Sequence, residues 1–298
     1  MMRSFIVALF ALVPVAASAQ QAAPAPSRLE RIGAIGQFVI GHRESAVPFA
    51  YFGDEQRPMG YAVDIARQVF EAVKASLGKP NLRLRFNAVT PTTRLPLMET
   101  RVIDIECGVT SNTVERQKEL AVSNTYYVDD VRIAVRSDSP VTRFSDLAGR
   151  RVAAVRSTRI EAQVERLAAE QKLELTLVSV RSDSSGVQAL EDGRVDAFVA
   201  GTATLLGQFS LTASPTRFKV VGDALLAVPY ACVLPKGDPA YKQLVDATLA
   251  DMMRSGEMAK LHAKWFEAPI PPYRRTLNLR LNDATRAVFA SPNDRPLQ

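Results

Sequence analysis

Histidine and cysteine are almost absent from this 298-residue chain, which has two of each and a single tryptophan. His42 and His262 stand far apart. Cys107 and Cys232 form neither a Cys-x-x-Cys pair nor a knuckle, so a metal centre has no ligand set to be built from. No cofactor is expected. No lysine/arginine block occurs and aromatics do not interleave with basic residues, so the net charge of +6 does not point to nucleic acid. A mild positive balance suits a small anionic ligand. No nucleotide-binding motif, internal repeat or low-complexity body is present. After the first twenty residues, no apolar run is long enough to span a bilayer.

Those first residues read as an export signal. Arg3 precedes an apolar stretch over 5–16, and Ala17-Ser18-Ala19 makes a small-residue cleavage site. Residues 1–19 are therefore expected to be a signal peptide, and 20–27, rich in Ala and Pro, a disordered leader. The mature protein is expected to be soluble and periplasmic. In such an oxidising compartment a Cys107–Cys232 disulfide is plausible; two buried free thiols are the alternative.

Strand and helix patterns alternate along the rest, which predicts an α/β architecture with mostly parallel sheet. Strands are expected over 38–41, 81–88, 102–105, 131–135, 152–155, 175–180, 195–200 and 230–234. Helices are expected over 60–76, 93–100, 159–173 and 186–191, with one long helical run over 240–266. Ile65, Val69, Phe70 and Val73 lie on one face of the 60–76 helix. The similar strands 131–135 and 230–234 bracket the middle of the chain. That predicts a middle lobe (132–230) inserted into an outer lobe (28–131 with 231–298). Two crossings make a hinge, and a hinge makes a cleft.

Residues 106–120, Glu-Cys-Gly-Val-Thr-Ser-Asn-Thr-Val-Glu-Arg-Gln-Lys-Glu-Leu, carry the clearest chemistry. A short strand runs into a glycine, small hydroxyl residues, and a helix with Arg116 in its early turns. Loop amides and a helix N-terminus make an anion site, and guanidinium adds a fork that fits a carboxylate. The alternative is that residues 110–113 only cap a helix and Arg116 is a solvated charge.

The chain resembles the periplasmic solute-binding proteins of ABC importers, in the polar amino-acid class, and is most similar to the glutamate/aspartate-binding proteins. The resemblance rests on Gly41-His42-Arg43-Glu44-Ser45 with Val47-Pro48-Phe49; on Gly60-Tyr61 with Asp64; on Arg94-x-Pro96-Leu97; and on Glu106-Cys107-Gly108 with Val114-Glu115-Arg116-Gln117. It continues through Leu190-x-x-Gly193-Arg194 with Ala197-Phe198, Trp265-Phe266 with Pro269-Ile270-Pro271-Pro272, and Ser291-Pro292-Asn293-Asp294. It implies a two-lobed type II periplasmic-binding-protein fold, a monomer, with a membrane ABC permease as partner.

The same resemblance implies site roles. Arg43 and Arg94 would hold a ligand side-chain carboxylate. Arg116, Ser111 and Thr158 would hold the α-carboxylate, with Phe49 or Tyr51 lining the cleft. This chain departs from the pattern at the ammonium end: Gly201 stands where relatives carry an aspartate, and Val109 where they carry a serine. A ligand ammonium would then lack its counterion, which is costly in a dry cleft. Further departures are Val155 for a threonine, Pro91 for a serine, and Arg156 and Arg159 for small residues. Asp183 falls at a histidine position, with Arg156 or Arg159 as its expected partner. These departures favour a dicarboxylate, or another acid without an α-ammonium group. A conventional glutamate/aspartate ligand is the alternative, and a dehydratase-type enzyme on the same scaffold, using Asp183 or Glu161, is the second.

Overall fold

The computed structural model describes residues 26–53 and 56–296. The expected signal peptide, and the leader up to residue 25, lie outside the described residues. Ser27, the end of that leader, is ordered as the N-cap of helix α1 (Arg28–Ile35). Its side chain accepts from the Glu30 amide while Glu30 reaches back to the Ser27 amide, a reciprocal capping box. Strand β1 (Gln37–His42) follows, then a small sheet of β2 (Ser45–Ala46), β3 (Ala50–Phe52) and β4 (Pro58–Met59). Helix α2 (Tyr61–Ser76) buries Ile65, Val69, Phe70 and Val73, the face that periodicity marks.

Next come β5 (Arg83–Ala88), α3 (Arg94–Glu99), β6 (Ile105–Glu106), α4 (Val114–Glu119) and the long β7 (Ala121–Arg136). The middle of the chain supplies β8 (Arg151–Val155), α5 (Arg159–Glu170), β9 (Thr176–Val180), α6 (Asp183–Glu191), β10 (Ala197–Gly201) and α7 (Thr202–Leu211). The chain returns along β11 (Phe218–Leu234) and finishes with α8 (Pro239–Arg254), α9 (Glu257–His262) and α10 (Asp283–Ala290).

Hydrogen bonding orders the main sheet β5-β1-β6-β11-β7-β10-β8-β9. Its two ends are parallel sets, β5-β1-β6 and β10-β8-β9, joined through the antiparallel pair β7 and β11. The register between those long strands slips at Val221/Leu226 and again around Tyr230–Val233. Irregularities of this kind bend and twist a ribbon, and they fall within the antiparallel pair that joins the two parallel sets.

Three sequence expectations are corrected. The strands expected over 131–135 and 230–234 are the C-terminal parts of much longer ones. The strand expected over 102–105 is reduced to β6, because Val102 is exposed and pairing with β1 begins only at Ile105. The single helix over 240–266 breaks at Gly256, whose φ of +80° is left-handed, and resumes as α9 before a π-helical turn, Ala263–Glu267. Helix α7 has no amphipathic period in its sequence because it is buried nearly all round.

The cysteines form a disulfide, with an S–S distance of 2.06 Å. It ties the residue after β6 to β11 and closes a loop that contains the whole middle of the chain. Cross-linking a loop of that size, 125 positions apart in sequence, stabilises by about 5 kcal/mol in the chain-entropy picture.

Candidate functional site

The candidate cleft lies where the two parallel sets face each other. It is lined from one side by Arg43, Val109, Ser111 and Tyr230, and from the other by Val155, Thr158, Asp183, Gly201 and Thr204. The free space between them is only about 20 Å³, scarcely more than one water requires. A space of that size holds no ligand larger than water.

One ion pair crosses this gap. Arg43, just beyond β1, donates from Nη2 to Asp183 Oδ2 at 3.0 Å, and both side chains are buried. Asp183 is the first residue of α6, where the helix dipole favours an anion. Burial pushes its carboxyl up, and Arg43 opposes that rise. The partner of Asp183 is therefore Arg43, not Arg156 or Arg159. Arg156 is exposed on the loop before α5, and Arg159 is half-buried as the first residue of that helix. Neither borders the cavity.

Behind Arg43 lies a crowded cationic centre. Arg94, in the first turn of α3, is 2 % exposed. Its guanidinium donates to the Pro91 carbonyl, so the proline at that position still contributes through its backbone. Burial, with the positive neighbours Arg116 and Arg43, pushes Arg94 down to about 9, against the pull of Glu106. Arg116 on α4 donates from Nη1 to the Ser111 carbonyl at 2.5 Å, and burial lowers its pKa too. The anion offsetting this centre is Glu106, fully buried on β6. One of its oxygens accepts from the Thr110 hydroxyl at 2.8 Å, and burial raises its pKa despite Arg94. Arg43, Arg94 and Arg116 thus share one region as expected, with Arg43 alone bordering the present cavity.

The remaining expected residues divide. Val109, Ser111, Thr158 and Gly201 border the cavity. The Thr158 hydroxyl is occupied as the N-cap of α5, donating to the Val155 carbonyl at 2.6 Å and accepting from the Glu161 amide at 3.2 Å. Phe49 and Tyr51 do not line the cavity. Phe49 packs edge-on against Tyr61, Tyr127, Tyr230 and Phe266 in the core, and the Tyr51 hydroxyl donates to the Pro271 carbonyl. The resemblance implied a ligand wall at these two positions; core burial of large rings decided otherwise.

Sequence reasoning missed Asp129. It lies on β7, is 2 % exposed, and points to Gly201. A Cβ built on Gly201 would lie 2.1 Å from Asp129 Oδ2 and 2.7 Å from the Tyr230 hydroxyl. The carboxylate thus fills the space where a side chain at 201 would begin. Oδ1 accepts from the Ala203 amide at 3.2 Å, and Oδ2 lies 3.4 Å from the Tyr230 hydroxyl. No cation pairs with it among the described residues, and burial pushes it up to about 7. The inference that the Gly201 end of the cleft lacks a carboxylate is therefore corrected: the fold supplies one from another strand. The signal was an Asp-Asp pair at 129–130, entering a strand that otherwise reads as apolar.

Residues 38–268 match the model of the bacterial extracellular solute-binding proteins, family 3. The chain belongs to this family. It is 37% identical over 282 residues to the glutamate/aspartate import solute-binding proteins of Salmonella typhimurium and Escherichia coli, spanning 94% of this chain and 93% of theirs. It is 35% identical over 268 residues to the L-glutamate/L-aspartate-binding protein of Pseudomonas aeruginosa, covering 90% of this chain and 89% of that one. Among solved structures it superimposes on an ancestral arginine-binding protein bound to arginine, with a TM-score of 0.69 and 22% identity over 78% of this chain and 98% of that one. An ancestral amino acid-binding protein that is a precursor of cyclohexadienyl dehydratase gives 0.70, at 23% identity over 80% and 99%. These two likenesses establish the type II periplasmic-binding-protein fold. By family this chain is thus a bacterial extracellular solute-binding protein.

Proposed function

We propose that this protein captures an acidic amino acid, glutamate or aspartate, outside the cytoplasm and delivers it to a membrane ABC permease. The observation that carries this reading is that opposite charges gather around one cavity. Arg43 borders it with Arg94 and Arg116 close behind, and the Asp129 carboxylate lies behind Gly201, which borders it too. Guanidinium groups match ligand carboxylates, and a buried carboxylate without a cation matches an ammonium group. The curated relatives support the same class of ligand.

In this reading β7 and β11 are the two crossings of a hinge. The outer lobe is 28–131 with 231–298, and the middle lobe is 132–230. Ligand favours the closed form only through contacts that the open form lacks. Here those contacts come from Thr158 and the N-terminus of α5, and from the Gly201 region. Export through the leader at 1–19 is part of the proposal, and the disulfide agrees with an oxidising compartment. Among the described residues no helix is long and apolar enough to cross a membrane.

A second reading, a dicarboxylate or related acid without an α-ammonium group, is favoured by Val109, which offers no hydroxyl to the cleft. A thermal-shift panel separates the two. Ligand at about 100 times its Kd stabilises by about 2.7 kcal/mol, so L-glutamate or L-aspartate should raise the melting temperature clearly above succinate or glutarate. A response to the dicarboxylates but not to the amino acids would overturn the acidic amino-acid reading.

A further inference from the structure

We propose that Asp129 is the specificity-determining residue that receives the ligand's ammonium group, in place of a side chain at position 201. The inference rests on the acidic amino-acid reading above. Three features of the geometry point to it. First, the carboxylate occupies the volume a residue-201 side chain would take, directly behind Gly201 and Tyr230, which both border the cavity. A Cβ there would meet Oδ2 at 2.1 Å, well inside contact distance. Glycine at 201 and aspartate at 129 are mutually dependent: either larger side chain excludes the other.

Second, the charge of Asp129 is not spent on another charge. Its neighbours are the Ala203 amide on α7, the Tyr230 hydroxyl on β11 and the adjacent Asp130; none is cationic. Asp183, the acid that borders the cavity, is already taken by Arg43. Asp129, behind Gly201, is then the carboxylate beside the cavity with no cation of its own among the described residues. Third, Asp129 lies on β7, while its acceptor oxygen holds the Ala203 amide of α7. A cation bound there is held at the junction of the strand that crosses the hinge and the helix of the middle lobe, where it adds to closure.

A purely structural role competes with this. Gly201 cannot cap α7 with a side chain, and Asp129 Oδ1 does so from outside the helix. The two roles predict different ligand behaviour. Calorimetric titration of the full-length mature chain with L-glutamate and with glutarate, its analogue without the amino group, compares wild type, Asp129→Asn and Asp129→Ser. Both variants keep an acceptor for the Ala203 amide. The expected result is glutamate affinity reduced by about 30-fold or more, with glutarate affinity unchanged or improved. Loss of both ligands to the same degree, or glutamate affinity within about threefold of wild type, overturns the role for Asp129. If wild type itself prefers glutarate to glutamate, the acidic amino-acid reading falls and this inference falls with it.

Discussion

Removing the carboxylate of Asp183 should make this protein bind acids more tightly, although it deletes a cleft residue. The reason is the Arg43–Asp183 pair, which spans the closed cleft at 3.0 Å and leaves almost no free space. A ligand carboxylate seeking Arg43 meets Asp183 as a like charge. Two unit charges about 4 Å apart interact by about 4 kcal/mol at an effective dielectric of about 20. Even if half of that is screened, Asp183→Asn should lower the Kd for L-glutamate or L-aspartate by about 30-fold. The same change removes the contact that shuts the empty cleft. In small-angle X-ray scattering, the unliganded variant should therefore have a larger radius of gyration than wild type, and ligand should restore the compact value. An unchanged Kd would refute the competition argument. A weaker Kd would refute it more informatively, because Asp183 would then be facing a ligand cation.

Three other outcomes follow from the same geometry. Gly207→Ala should weaken ligand binding and expand the unliganded protein in scattering, since a Cβ on this α7 residue would lie 2.2 Å from the Val47 carbonyl oxygen, and backbone cannot yield as a side-chain tip does; a compact variant with normal affinity would show that α7 seats elsewhere. Replacing Cys107 and Cys232 with serine should cost about 2–5 kcal/mol and lower the melting temperature by several degrees, with ligand specificity retained. Asp129 has its folded pKa raised to about 7 by burial, above the 3.8 of an ordinary aspartate. Its contribution to stability is therefore present below about pH 4 and lost as pH rises through about 7, by about 4 kcal/mol at most. Denaturant unfolding of the unliganded protein should show wild type losing ground to Asp129→Asn between pH 5 and pH 8; a gap that does not change with pH would mean the carboxylate is not desolvated as described.

Local patterns made much of the fold readable. The apolar face of α2, the alternation of strands and helices, and the bracketing of the middle unit all came from period and order, which neighbouring residues set by themselves. The failures have physical causes. Helix α7 carries no amphipathic signal because it is buried on nearly every side. The long strands β7 and β11 read as short ones because charged and polar residues interrupt them where they cross between halves, Asp129 and Asp130 on one and Gly222 and Asp223 on the other. Phe49 resembled a ligand wall in sequence, yet its ring fits between four other aromatic rings of the core.

The sequence by itself determined which residue types are available to the site. Arginines at 43, 94 and 116, hydroxyls around 110–113, and the bare Gly201 and Val109 are all visible as letters in order. Whether charges meet is a matter of distance, and distances between remote residues belong to the tertiary structure. Only the folded chain decided that Asp183 faces Arg43, 140 positions away, and that Asp129 fills the space left by Gly201. Position 201 read alone says that a carboxylate is gone; the packing of β7 against β10 puts one back.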